Sequence, residues 1–176
     1  MTYKVNDTIL YSTQGVCKIS EISEMDLSGS NVEYYVLKPV YEDNSTIFIP
    51  VNNETLTTKM RRVLSSKEIY DLIKTMPGEE TIWIENENAR RGHYKEILMR
   101  CNPIELIRLI KTLYLRQQTQ QASGKKLHTA DETFMKSAEK ILYEEFAYVL
   151  DIKLEQVLPL IMEHTNLKAK EQSNYA

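Results

Sequence analysis

The chain has 176 residues, of which 42% are hydrophobic and 27% charged, enough apolar residues for the core of one domain or of two small ones. Its two cysteines, Cys17 and Cys101, lie far apart, which excludes a disulfide framework and a paired-cysteine metal site. No apolar run approaches the ~18 residues of a membrane span, and no basic, apolar leader opens the chain. We therefore expect a soluble, cytoplasmic protein without a membrane partner.

Charge is unevenly distributed along the chain, although the net charge is only −3. Residues 1–59 contain four lysines, no arginine and eight acids, whereas residues 90–126 contain nine bases and two acids, a net charge of +7. A strongly basic segment inside an acidic protein is expected of a polyanion-binding surface. The alternative is a solvated helix face.

The first third of the chain is predicted to form β-strands. Four stretches rich in β-branched and aromatic residues are separated by turn formers at hairpin-length spacing. So short a run buries enough apolar surface only by curling into a small barrel or tight sandwich. We therefore predict an all-β domain over residues 1–59. The strands are predicted at residues 8–11, 15–22, 32–40 and 46–51.

The rest of the chain, residues 60–176, is predicted to form an all-α domain. A capping box at Ser65 opens one helix, which ends at Pro77-Gly78, and Asn102-Pro103 opens a second. Thr129 opens a third, with a face formed by Phe134, Ala138, Ile141, Leu142, Phe146 and Val149.

A last helix is expected after Asp151, which we predict as its N-cap. Pro159 inside this helix predicts a kink or break, and the polar sequence beyond Leu167 predicts a frayed tail. The fold class is thus α+β, a β domain followed by a helical one.

The sequence offers little catalytic chemistry. The three histidines, at positions 93, 128 and 164, have no carboxylate or cysteine at ligand spacing, and no phosphate-binding loop occurs. Glu144 and Glu145 are neighbours on a predicted helix and point in different directions, so we interpret them as a solvated acidic face. We expect neither an enzyme, a cofactor, a metal site nor a small-molecule substrate.

Several motifs in order resemble the CarD/CdnL/TRCF family of bacterial transcription factors. The opening YKVNDTILYSTQGVCKISEI is similar to the start of the family's Tudor-like or SH3-like barrel, with Asn6 in place of the usual glycine. EYYVLKPV and TIFIPV, which includes Pro50, match later barrel strands, and Leu113-Tyr114-x-Arg116 belongs to the helical signature. The resemblance spans residues 3–165. Because the chain carries no nucleotide-binding motor, it resembles the stand-alone members.

The resemblance implies that the two domains bind different partners. The barrel would dock on the β-subunit lobe of RNA polymerase, and the helical domain would contact promoter DNA at the upstream fork of the melted bubble. Such a factor stabilises the open promoter complex by binding it better than the closed one. The implied polymerase-binding residues are Met25, Tyr35, Thr46, Ile47, Phe48, Ile49 and Pro50. The implied DNA-binding residues are Trp83, Arg90, Arg91, Tyr94, Lys95, Arg116, Lys125 and Lys126.

The sequence departs from the family pattern at two places. Met25 and Phe48 occupy positions where many members carry arginine on the polymerase-facing strands, which implies a more apolar contact. IENENA separates Trp83 from Arg90, Arg91 and Tyr94, whereas in the family arginines follow the tryptophan closely. We nevertheless expect Trp83 on or beside a loop, where it stacks on or wedges against a base step.

Two other functions are also compatible with the sequence. One is a sequence-nonspecific nucleic-acid-binding protein that uses only the basic segment. The other is a Tudor-like module that reads a peptide, with the helices as a structural cap.

Overall fold

The computed structural model describes residues 2–26, 29, 31–42 and 44–173, and the side chains of the last helix as far as Thr165. The chain forms two compact units, residues 1–63 and 64–176. The first is built on a β-sheet and the second on helices, so the α+β class is confirmed.

The first unit is a five-stranded antiparallel sheet with the order β4-β3-β2-β1-β5. The sequence predicts a small barrel or tight sandwich; the sheet does not close, because the edge strands β4 and β5 are not hydrogen-bonded to each other among the described residues. The strands are β1 (Thr8–Tyr11), β2 (Val16–Asp26), β3 (Asn31–Pro39), β4 (Ile47–Pro50) and β5 (Met60–Arg62).

One face of this sheet forms the core of the unit, as the alternation of side chains along each strand requires. A β-bulge at Ser20, whose Oγ donates to the carbonyl of Val36 (3.1 Å), shifts the register so that Ile19 and Ile22 both face the core. The buried residues of the core are Ile9, Tyr11, Cys17, Ile19, Tyr35, Leu37, Ile49 and Met60.

The first unit ends four residues later than the predicted boundary. A short helix, α1 (Glu54–Thr57), turns the chain so that Met60–Arg62 pair with β1 as a fifth strand. Near its start, Asn6 has a φ of 74°. Asparagine tolerates this left-handed conformation better than most residues, which accounts for its presence where the family pattern has glycine.

The second unit contains five helices in the described residues, and the predicted helix starts at Ser65 and Asn102 are confirmed. Ser65 and Glu68 form a capping box, and the side chain of Asn102 accepts from the amides of Ile104 and Glu105. The helices are α2 (Ser66–Thr75), α3 (Glu87–Arg100), α4 (Pro103–Ala122), α5 (Thr129–Leu150) and α6 (Leu154–Ser173).

Two predictions that concern residues of α5 and its C-terminal end are wrong. Asp151 does not cap α6; it has a φ of 53° and ends α5 in the left-handed conformation. Glu144 and Glu145 are not solvated but buried on α5, and Glu145 Oε1 accepts from the amide of Leu64 at 2.9 Å. A buried carboxylate is tolerated when hydrogen bonds replace its water.

α6 continues through Pro159 to Ser173, so the helix does not break at the proline and the backbone is helical beyond Leu167. The last three residues of the predicted frayed tail lie outside the described residues. No described helix is long and apolar enough to cross a membrane.

Candidate functional sites

Trp83 lies on an irregular segment of the second unit, here called the tryptophan loop (residues 79–86). The loop follows a single helical turn at Met76–Gly78 and ends at Asn86, whose side chain accepts from the amide of Ala89 to begin α3. Trp83 itself is partly exposed. The structure therefore places Trp83 on a loop, as the sequence predicts.

Helix α4 fixes the start of the tryptophan loop through side chains spaced one turn apart. Lys111 Nζ donates to the carbonyls of Pro77 (2.8 Å) and Glu79 (2.7 Å), and the Oγ1 of Thr112 accepts from the amide of Ile82 (2.9 Å). Arg108 Nε pairs with the carboxylate of Glu79 at 2.8 Å. Because these bonds hold the backbone beside Trp83, the ring is carried by an ordered loop.

Two arginines lie against the ring of Trp83. The Cζ of Arg90 is 4.2 Å and that of Arg116 4.0 Å from the ring centroid, within the range of favourable cation–π contacts. The indole Nε1 donates to Glu85 Oε1 at 2.9 Å. IENENA thus separates Trp83 from Arg90 in sequence but not in space, because the loop folds the ring back onto the first turns of α3.

Arg90 is not a surface cation. Its side chain is 7% exposed and forms a two-bond ion pair with Asp131, which is 2% exposed, in the first turn of α5. Its burial argues against the direct phosphate contact expected of Arg90. Asp131 was not identified from the sequence, because an acid in the first turn of a helix is common and gives no signal of a distant partner.

Tyr94, four residues after Arg90 on α3, is also buried. Its ring packs edge-on against Phe134, and its hydroxyl has no hydrogen-bond partner among the described residues. Burial, followed by the charge of Asp131, raises the pKa of Tyr94 to about 12, while Arg90 and Arg116 act in the opposite direction. Tyr94 is therefore part of the buried packing near Trp83 and is not accessible for a direct contact with DNA.

Most basic side chains of this segment have partners within the second unit, and among the described residues four of the nine form ion pairs. Arg91 pairs with Glu87 (2.6 Å), and Arg100 pairs with Glu96 (3.2 Å) and Glu105 (3.7 Å). In the part of the chain that the structure describes, three basic residues of this segment form no ion pair, cation–π contact or hydrogen bond through the side chain. They are Lys95, Lys125 and Lys126, all exposed. The polyanion-binding surface inferred from the +7 segment is thus much smaller than its charge indicates.

The DNA-binding residues expected from the sequence are only partly brought together. Arg90 and Arg116 contact Trp83, and both are close enough to the buried Tyr94 to lower its pKa. No hydrogen bond, ion pair or ring contact among the described residues joins the others to Trp83. These are Arg91, Lys95, Lys125 and Lys126.

In the first unit, the residues expected to bind polymerase divide between the two faces of the sheet. Tyr35 and Ile49 are buried in the core, and Ile47 packs against it. The opposite face, here called the outer face, carries Phe48 and Pro50 of the edge strand β4, because their pairing partners are Val36 and Tyr34. Phe48 is 44% exposed.

Met25 lies on the same outer face as Phe48. Cross-strand pairs Met25–Val32 and Ser23–Tyr34 continue the row in which Tyr34 faces Pro50. The two positions where the sequence departs from the family's arginines therefore share one surface of the sheet. Thr46, exposed, directly precedes β4, whose outer edge has no strand partner among the described residues.

Comparison with protein families identifies both units. Residues 3–64 match the CarD-like/TRCF RID domain, and residues 69–162 match the CarD C-terminal domain. No curated protein matches the chain. The first match ends at residue 64, one residue past the boundary between the compact units, and the second begins at residue 69, so each family domain corresponds to one unit of the structure.

Proposed function

Because the chain belongs to the CarD family of RNA polymerase-interacting transcription factors, we propose that it stabilises the open promoter complex. The first unit docks on the β-subunit lobe of the polymerase, and the second contacts promoter DNA at the upstream fork. The factor does no chemistry in this role; it shifts an equilibrium by binding one state better than the other.

The observation that carries this proposal is the placement of Trp83. It is partly exposed on a loop held by α4, and two guanidinium groups lie against its ring. An aromatic ring fixed in this way loses little conformational freedom when it inserts beside a base step. The cations cover part of its π surface, which favours insertion of the ring edge as a wedge over broad stacking.

The outer face of the first unit supports the docking part of the proposal. Phe48 and Met25 give it an apolar character, and the unpaired edge of β4 offers backbone groups to an added strand. The expected contact with polymerase combines edge pairing with burial of Phe48. Tyr35 and Ile49 contribute by holding β4 in place from the core.

The proposal is tested by replacing Trp83 with alanine in a promoter-opening assay with purified polymerase. We expect unchanged binding to polymerase and a shorter lifetime of the open complex, by roughly 1–3 kcal/mol, the range found for aromatic side chains that contact bases. Tyr148→Ala, at an exposed aromatic residue of α5, is the matched control and should leave the lifetime unchanged. Equal lifetimes for Trp83→Ala and the parent would contradict the proposal.

A further inference from the structure

Four hydrogen bonds fix the guanidinium group of Arg90 in place. Nε and Nη2 each donate to one carboxylate oxygen of Asp131 at 3.1 Å, and Nη1 donates to the carbonyls of Ile84 (2.9 Å) and Glu85 (3.3 Å). Arg90 thus joins three segments, namely α3, the tryptophan loop and the first turn of α5. The two carbonyls belong to the residues that directly follow Trp83.

The two arginines that contact Trp83 are held very differently. Arg116 is partly exposed, and its Nε has no hydrogen-bond partner among the described residues. Arg90 is buried and shares a two-bond ion pair. Such forked pairing fixes orientation as well as distance. The orientation of the ring therefore depends more on Arg90 than on Arg116.

We propose that Asp131 is a positioning residue for Trp83, acting through Arg90. Without the carboxylate, the guanidinium loses two of its four bonds and the negative partner of its ion pair, so it no longer presents a fixed plane to the indole. The consequence for transcription rests on the proposed function, but the positioning itself is measurable on the free protein. Asp131 lies 48 residues from Trp83 in sequence, and no hydrogen bond or ion pair among the described residues joins the two.

Trp83 is the only tryptophan of the chain, so its fluorescence reports on this site alone. In Asp131→Asn we expect higher accessibility to acrylamide and lower fluorescence anisotropy than in the parent, because the population of released rings rises about fivefold when one cation–π interaction is removed. Asp71→Asn removes a carboxylate from a surface ion pair on α2 and is the matched control; its fluorescence should equal the parent's. Asp131→Glu, which keeps the charge, should restore part of the parental signal.

Asp131→Asn leaves a buried arginine without its counter-ion and can lose the fold for that reason alone. The double variant Arg90→Gln with Asp131→Asn removes both buried charges and the cation from the ring. If both variants fold, as judged by circular dichroism, they should release the ring to a similar extent, because Asp131 acts only through Arg90. If Asp131→Asn folds and keeps the parental acrylamide accessibility and anisotropy, the proposal is overturned. If only the double variant folds, the same parental values in the double variant overturn it.

The outcome is independent of the proposed function. Ring release in Asp131→Asn, together with an unchanged open-complex lifetime in Trp83→Ala, would retain the positioning role and reject the promoter role. A shortened open-complex lifetime in Trp83→Ala, with no ring release in Asp131→Asn, would retain the promoter role and reject the positioning role. When both hold, adding Asp131→Asn to Trp83→Ala should shorten the lifetime no further.

Discussion

Arg90 and Tyr94 have side chains typical of nucleic-acid contacts, yet the structure buries both. The sequence could identify Trp83 as a loop residue from its polar neighbours and could associate Arg116 with it through the family motif. It could not identify the ion pair of Arg90 with Asp131, because the two are 41 positions apart and only the packing of α3 against α5 brings them together. Burial distinguishes the residues that can contact DNA from those that hold the site in place. The type of a residue does not reveal whether it is buried.

At this scale, Tyr94→Phe should leave the second unit as stable as the parent at pH 7, or slightly more so. The buried hydroxyl has no hydrogen-bond partner among the described residues, so its removal relieves a desolvation cost. The change is measured by urea denaturation. Tyr114→Phe, at an exposed tyrosine of α4, is the control. A marked loss of stability in Tyr94→Phe would show that the hydroxyl is bonded after all.

The same variant has a pH signature. The pKa of Tyr94 is raised from 10.0 to about 12 on folding, so the stability linked to its protonated form is fully present below pH 10 and is lost as pH rises towards 12. Tyr94→Phe should therefore lose less stability than the parent between these limits. Some alkaline loss should persist, since burial also raises the pKa of Tyr143 to about 12.

Two elements that were not predicted from the sequence, α3 and β5, share a cause. The buried positions of α3 are Arg90, Tyr94, Ile97 and Leu98, which have helical spacing but begin with an arginine, so the apolar stripe is too short to recognise. β5 is Met-Arg-Arg, whose charges conceal a three-residue strand. In contrast, α2 and α4 were predictable because capping residues and apolar stripes agree there. Sequence patterns fail where charged side chains have structural roles.

Ion pairs occupy several basic side chains of the helical unit. The lysines without such partners are therefore predicted to make the electrostatic contact with DNA. Replacing Lys95, Lys125 and Lys126 by glutamine should lower the salt slope of promoter association by up to about 2.7, at about 0.9 for each phosphate that is no longer neutralised, with little dependence on sequence. The control replaces Lys67, Lys74 and Lys136, which already form surface ion pairs. Equal changes in slope for both triple variants would reject the assignment.

On the scale of the whole molecule, each unit has its own core, so each can be tested separately. The first core lies entirely within residues 1–63, and the second entirely within the helical unit. The end of the first unit was predicted within four residues, because the change from strand to helical periodicity is visible in sequence. The open edge of its sheet was not predictable, since it depends on which strands pair.

We therefore expect residues 1–63 alone to bind the polymerase β lobe with an affinity close to that of the full chain in the absence of DNA. Phe48→Ala should weaken this binding by about 1–3 kcal/mol, as expected when a large apolar side chain leaves an interface. Val5→Ala is the control, because Val5 is also 44% exposed in the same unit. Binding by the full chain but not by residues 1–63, in a folded fragment, would assign docking to the helical unit instead.

If the proposed function holds, the pairing of basic side chains within the second unit affects how this protein distributes between bulk DNA and polymerase. The basic segment leaves three lysines without an ion pair among the described residues, on a chain of net charge −3, so the free protein should release few counterions from bulk DNA and compete poorly for it. The protein would then not be diluted over nonspecific DNA sites, and the pool free to bind polymerase would stay large. With the first unit docked as proposed, the second would meet promoter DNA at a local concentration on the order of millimolar, where a weak surface is sufficient. Occupancy at promoters should then follow the abundance of polymerase rather than the amount of DNA.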